Sequence, residues 1–209
     1  MTDARPELLV TAFSDYICPF CYVGDARLNR LRESFRVKIN WCLLEIHPET
    51  PEQGRPVSEL GYDPETWEQL MASLDVLAAE DGLEFAEHTF TANSHKALLL
   101  AEAAKELGAA SFYPLHRALF EAFLRDGRNI GDEAVLRAII EEQGLEPSLG
   151  DQAWSDPRYE DNLKRYRLAA AQLEVRATPT FFIGTRRLDG AVPFDELWQA
   201  AQLAADEPS

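Results

Sequence analysis

Leu8-Leu9-Val10-Thr11-Ala12-Phe13-Ser14-Asp15-Tyr16-Ile17-Cys18-Pro19-Phe20-Cys21 runs from an apolar, β-prone segment into two thiols three positions apart. Leu8 to Phe13 reads as a strand, and Ser14 to Ile17 as its exit. Beyond the cysteines, Tyr22, Val23, Leu28, Leu31 and Phe35 recur at the spacing of one helix face. Pro19 suits the first helical position, where its missing N–H costs nothing and its fixed φ helps. Cys18 is then the N-cap, and its sulfur meets the free N–H groups and positive dipole end of the helix. Both favour thiolate, so the Cys18 pKa is expected below the free value of about 8.5. Cys21, one turn further in and more shielded, is expected to act as the resolving thiol.

Three other readings of the pair compete, one of them a purely structural disulfide, against which stands that so tight a ring constrains little chain. A structural zinc site needs four ligands. Cys42 stands alone, and His47, His88, His95 and His116 are scattered, so no metal site is expected. Inert buried thiols are the third, since free cysteine is often interior.

Composition bounds the function classes. The 209 residues are 46% hydrophobic and 27% charged, which is a globular protein with ample core material. A net charge of −16 argues against nucleic acid and anionic membrane surfaces as partners. The stretch Met1 to Glu7 lacks the pattern of a secretory leader, and no apolar run approaches spanning length. A cytoplasmic setting is therefore expected, where a C-x-x-C pair is more often catalytic than structural.

Val37 to Leu44 reads as a second strand, which makes a βαβ unit with the first. Pro48, Pro51, Gly54 and Pro56 break regular structure. Helices are expected over Pro64–Ala79, His95–Leu107, Tyr113–Leu124, Glu133–Gln143 and from Pro157 to about Leu173. Thr180–Ile183 and Arg187–Ala191 read as two arms of a hairpin, and Phe194–Ala205 as a terminal helix. The order is β-α-β, a block of helices, then β-β-α. The expected fold is α/β. Residues 1–60 and 155–209 form a discontinuous sheet-bearing domain, and a helical insertion, 61–154, gives the cysteine turn a groove.

The strand–Cys18-Pro19-Phe20-Cys21–helix unit, the helical insertion and Ala177-Thr178-Pro179-Thr180-Phe181-Phe182 together resemble the DsbA family of the thioredoxin superfamily. Phe13 to Tyr22 and Trp41-Cys42-Leu43-Leu44-Glu45-Ile46-His47-Pro48 are similar to segments of its cytoplasmic FrnE-like branch. Gly127-Arg128-Asn129-Ile130-Gly131-Asp132 and Gly190-Ala191-Val192-Pro193-Phe194 add weaker matches. The resemblance implies a thioredoxin-like fold and thiol–disulfide exchange on protein or small-molecule disulfides. It also implies a cis Thr178–Pro179 bond beside the cysteines, with Thr178 offering its backbone to an extended substrate. Read without it, Pro179 is an ordinary trans proline at a strand start.

The expected site is thus Cys18 and Cys21 as the redox pair, with Pro19, Phe20, Thr178 and Pro179 against the substrate. No cofactor is called for beyond the dithiol, and glutathione is an admissible redox partner. Phe20 brings no cation to the thiolate, so a modest pKa depression and a mild oxidant are expected. Kappa-class glutathione transferases and 2-hydroxychromene-2-carboxylate isomerases share the layout but usually carry Ser at the position of Cys18. A glutathione-dependent isomerase or transferase is the alternative, and a chaperone-like peptide-binding module a third. Elsewhere the residues read plainly. Cys42 is read as a buried strand residue ahead of a redox role, Glu45 as a solvated strand end ahead of a buried proton relay to Cys21, Asp15 as a solvent-facing or turn-capping carboxylate ahead of a charge close enough to raise Cys18, and Asn93-Ser94 as a helix cap ahead of ligand contact. His95 and Lys96 belong to a solvated first turn.

Overall fold

The computed structural model describes residues 4–87 and 89–206. His88, one of the four scattered histidines, lies outside the described residues, as do 1–3 and 207–209 at the ends of the sheet-bearing segments. Strand β1 (Glu7–Ser14) is the hub. It runs parallel to β2 (Arg36–Leu43), with Ala12 opposite Trp41. On its other side it runs antiparallel to the late strand β5 (Thr180–Ile183), with Ala12 opposite Phe181. Strand β6 (Arg186–Asp189) completes the order β2-β1-β5-β6. Gly184, at φ +56°, makes the hairpin link with Thr185. The fold is the α/β, thioredoxin-like arrangement expected from the sequence.

Helix α1 (Pro19–Leu31) is the crossover between β1 and β2. It ends before Phe35, which the spacing had placed on its face. The chain tightens there through Arg32, Glu33 and Ser34 N–H bonds to carbonyls three residues back. Phe35 lies in the following turn, buried against Trp198. On one sheet face Leu8, Val10 and Ala12 join the main core. On the other, Phe13 and Cys42 pack with Ala170 of α7 (Pro157–Gln172).

Between β2 and α7 the chain is mostly helical. A two-residue bridge joins β3 (Arg55–Pro56) to β4 (Phe90–Thr91), in a region the prolines marked as irregular. Helix α2 (Pro64–Asp81) starts with Asp63 accepting from Thr66 N–H. Of the apolar side chains of this helix only Leu74 and Ala78 are buried. Helix α3 (His95–Lys105) is buried from Ala97 to Ala104 and forms the centre of the helical block. Helix α4 (Ala109–Phe120) begins earlier than Tyr113, because Gly108 starts it and Pro114 is accommodated inside. A wide turn, Glu121–Arg125, continues it. Asp132 caps α5 (Glu133–Glu142) through Ala134 N–H, and the short α6 (Ser148–Ser155) carries no comparable sequence signal. Asp156 caps α7 in the same way, and α8 (Phe194–Asp206) closes the chain. Among the described residues no helix is long and apolar enough to cross a membrane.

The segment Gly127 to Asp132 packs closely against the backbone at Glu52 and Asn93. Asn129 donates to the Glu52 carbonyl at 2.9 Å and accepts from Gly131 N–H at 3.0 Å. A Cβ on Gly131 would meet the Glu52 carbonyl oxygen at 2.7 Å and the Asn93 carbonyl oxygen at 3.1 Å. Both are backbone atoms that cannot swing away. Gly131→Ala is therefore expected to destabilise by about 1–3 kcal/mol in urea unfolding. An unchanged midpoint would contradict this close packing.

Candidate active site

Cys18 caps α1 in extended geometry, with φ −88° and ψ 112°, and Pro19 follows at the first helical position. Cys21 N–H donates to the Cys18 carbonyl at 3.0 Å, and this first turn holds the two thiols together. Both are reduced and buried, Cys18 at 5% exposure and Cys21 at none. Their pKa values are pushed apart. A hydrogen bond from Cys21, with help from Thr178, holds Cys18 below the ordinary thiol value. Burial, reinforced by the Cys18 charge, pushes Cys21 well above it. Only one of the two is thus prepared to ionise first.

The loop before β5 completes the pair. The Thr178–Pro179 peptide bond is cis. The Cys18 thiol donates to the Thr178 carbonyl at 3.4 Å, 160 residues away in sequence. Gly24 of α1 lets this loop approach, since a Cβ there would meet Phe181 at 2.7 Å and Pro179 at 3.3 Å. Cys18, Pro19, Phe20 and Thr178 line one wall of a cleft of about 380 Å³. Trp67, Leu70 and Met71 of α2 form another wall, so this apolar stripe faces the cleft rather than the core. Of the aromatics near the motif, Phe20 lines the cleft, Tyr22 and Phe181 are core, and Phe182 packs against Phe13 across the sheet.

Asp15 keeps the turn-capping role expected of it through Ile17 N–H but not the solvent-facing one. It is fully buried. Its carboxylate accepts from Ile46 N–H at 2.8 Å, from the Ser94 hydroxyl at 3.1 Å and weakly from Ile17 N–H at 3.4 Å. Ser94 is accordingly no helix cap, although Asn93 accepts from His95 N–H at 2.9 Å. Burial raises Asp15 from its ordinary 3.8 to about 7, against the pull of those donors. Its negative charge in turn raises Cys18.

The folded pKa of Asp15 lies above the unfolded one. The stability tied to its neutral form is complete below about pH 4 and lost as pH rises through about 7. Asp15→Asn should therefore stabilise the protein more at pH 8 than at pH 5, by on the order of 2–3 kcal/mol. Comparing the two pH values cancels the pH-independent cost of altered hydrogen bonds. The same variant should move the thiolate absorbance of Cys18 to lower pH. Equal effects at both pH values would contradict a buried, titrating Asp15.

Glu45 is also not a solvated strand end. Its side chain is 9% exposed and sits 3.3 Å from His95 Nδ1, whose Nε2 lies 3.1 Å from Glu160. The hydrogen bond to Glu45 raises the His95 pKa. His95 is therefore a clamp between two carboxylates rather than a free first-turn residue. Lys96 pairs with Glu52 and Glu133. Cys42 is buried, 3.5 Å from the Asn40 amide, and burial pushes it up to about 11. His47, one of the scattered histidines, lines the cleft with its Nε2 3.3 Å from the Tyr62 hydroxyl. Among the described residues, no three His, Cys, Asp or Glu side chains gather to hold a metal ion.

The model of the DSBA-like thioredoxin domain matches residues 9–202, which takes in the cysteine turn, the helical block and the Thr178–Pro179 loop. The chain belongs to the DSBA-like thioredoxin family. It is 29% identical over 193 residues to the uncharacterized protein YwbO of Bacillus subtilis (strain 168), covering 89% of this chain and 92% of that one. Its fold matches the crystal structure of the probable DsbA oxidoreductase SCO1869 from Streptomyces coelicolor. That match has a TM-score of 0.83 at 25% identity, over 97% of this chain and 92% of the other. It also matches a 2-hydroxychromene-2-carboxylate isomerase, with a TM-score of 0.69 at 17% identity over 93% of each chain, a likeness of fold alone. This DsbA-like chain keeps thiols at both Cys18 and Cys21.

Proposed function

We propose that this protein is a thiol–disulfide oxidoreductase in which Cys18 is the nucleophile and Cys21 the resolving thiol. The observation that carries this is the asymmetry of the pair at a helix N-terminus beside the Thr178 loop: Cys18 held down by the Cys21 hydrogen bond, Cys21 pushed up by burial. The Cys18 thiolate attacks a substrate disulfide and forms a mixed disulfide, while the other substrate sulfur leaves as thiolate and takes a proton. Cys21 then loses its proton and attacks the Cys18 sulfur, releasing the second substrate thiolate. Two electrons pass from the dithiol to the substrate, and the protein ends with a Cys18–Cys21 disulfide. The reverse sequence oxidises a substrate dithiol. No group beyond the dithiol is required.

The FrnE-like branch and a cytoplasmic setting belong to this proposal. The motif from Phe13 to Tyr22 supports the first, and the unpaired buried Cys42 fits a reducing compartment. The test is dithiol-dependent reduction of insulin by the purified protein, followed by titration of the pair against a glutathione couple. Absence of both exchange and a measurable two-electron equilibrium would sink the proposal. The apolar cleft beside Cys18 favours one alternative, a glutathione-dependent isomerase or transferase acting on an aromatic substrate. That reading requires micromolar glutathione binding and turnover with glutathione present.

A further inference from the structure

The active-site cleft does not stop at Thr178. A second cleft of about 390 Å³ opens on the far side of the same loop and shares Ile46, Arg176, Ala177 and Thr178 with the first. The two differ in chemistry. The first is walled by aliphatic and aromatic side chains of α2. Arg176 from the loop borders both, and the second adds a further guanidinium, Arg167 from α7.

Arg176 is exposed and makes no hydrogen bond or ion pair among the described residues. Most of the chain's cations do find a carboxylate, since carboxylates outnumber cations 36 to 20, although Arg186 at the far end of β5–β6 is similarly unpartnered among the described residues. Arg27, Arg117, Arg125, Arg137, Arg158 and Arg187 each hold a carboxylate at 2.6–2.9 Å. Arg167 is only loosely held, 3.8 Å from Glu160, and Glu160 is closer to His95. The one carboxylate in this cleft, Glu45, is already paired with His95. The cleft therefore presents unmatched positive charge two residues from the backbone that touches Cys18.

We propose that Arg176, with Arg167 behind it, selects polypeptide disulfides that carry a carboxylate side chain near the reacting cysteine. This rests on the exchange reaction proposed above. An extended chain added along Ala177 and Thr178 would span both clefts, with alternate side chains reaching into them. A guanidinium fork matches a carboxylate in two parallel hydrogen bonds. Opposing this, the net charge of −16 repels acidic peptides at long range and attracts basic ones. Absent the local pair, the preference would therefore favour basic substrates, so the sign of the preference is diagnostic.

The test uses the full chain, reduced, and three disulfide-linked peptides that differ only two residues either side of cysteine: Glu, Gln or Lys. Rates are divided by those of dithiothreitol on the same peptides, which removes the effect of the flanks on the leaving thiol. Physiological salt screens the distant charges. The Glu peptide is expected to exceed the Gln peptide about 5-fold in kcat/KM, the scale of one partly exposed ion pair. Arg176→Glu should bring that ratio below one, and Arg176→Lys should keep a reduced preference. A Glu-to-Gln ratio at or below one, or a ratio indifferent to Arg176→Glu, overturns the proposal. Faster exchange with glutathione disulfide than with the Glu peptide overturns its assignment to polypeptides. Failure of exchange with all three peptides instead overturns the oxidoreductase reading, and this inference falls with it.

Discussion

Cys18→Ser is expected to lower disulfide exchange by on the order of 10³-fold or more, because a serine hydroxyl cannot replace the ionised sulfur. Cys21→Ser should behave differently. The first attack remains and the release step is lost, so the variant accumulates as a mixed disulfide with its substrate. The asymmetry follows from the site. Cys18 is lowered by the Cys21 hydrogen bond and ionises first, whereas burial keeps Cys21 protonated until the mixed disulfide has formed. The rate of the first step should fall as pH drops through the lowered Cys18 value. Mass spectrometry after mixing each variant with a peptide disulfide reads the outcome directly. Adducts on Cys21 in the Cys18→Ser protein, formed at the wild-type rate, would reverse the assignment of the two thiols.

Arg27→Met is expected to cost about 3–5 kcal/mol of stability, the scale of stranding one partner of a buried ion pair. Arg27 is 1% exposed in the middle of α1. Its Nε reaches Asp81, also 1% exposed, at 2.6 Å, and its Nη2 reaches Glu80 at 2.9 Å. Its Nη1 donates to the carbonyls of Ala191 at 3.1 Å and Val192 at 2.7 Å. One guanidinium thus ties the helix bearing the cysteines to the end of α2 and to the loop before α8. In its absence Asp81 keeps only Arg30, which is half exposed, and two carbonyls lose their donor. Arg27→Lys should recover only part of the loss, since one ammonium cannot fork across these acceptors. Because α2 walls the cleft, its amides should also exchange faster with solvent in the variant. A urea midpoint within error of wild type for Arg27→Met would show that this hub does not hold the fold together.

Much of the geometry of the candidate site is legible in the chain because it is short-range. Pro19 at the first helical position and Cys18 as cap are decided within one turn, and β1 and β5 announce themselves by composition. Asp63, Asp132 and Asp156 mark their helices through side-chain bonds to N–H groups two or three residues on. Elements without such local signals leave little trace in the sequence. Helix α6 has neither a capping side chain nor a long apolar stripe, and Pro114 hid the true start of α4. The stripe on α2 was readable as a helix face, but its destination, the cleft rather than the core, was not.

The polar residues around the dithiol divide along the same line. The sequence alone offers Cys18 and Cys21 as a candidate exchange pair with Cys18 as the helix cap, since helix capping and residue type act over a few positions, whereas the Thr178–Pro179 segment enters only through the family resemblance and is brought to Cys18 by the fold, 160 residues away. Only the tertiary structure buries Asp15, by bringing Ile46 from 31 residues away and Ser94 from 79. It also pairs Glu45 with His95, and leaves Arg176 unpaired beside the active-site loop. The physical reason is that the state of a charged side chain is set by its desolvation and by whichever partners reach it, and those partners come from distant parts of the chain.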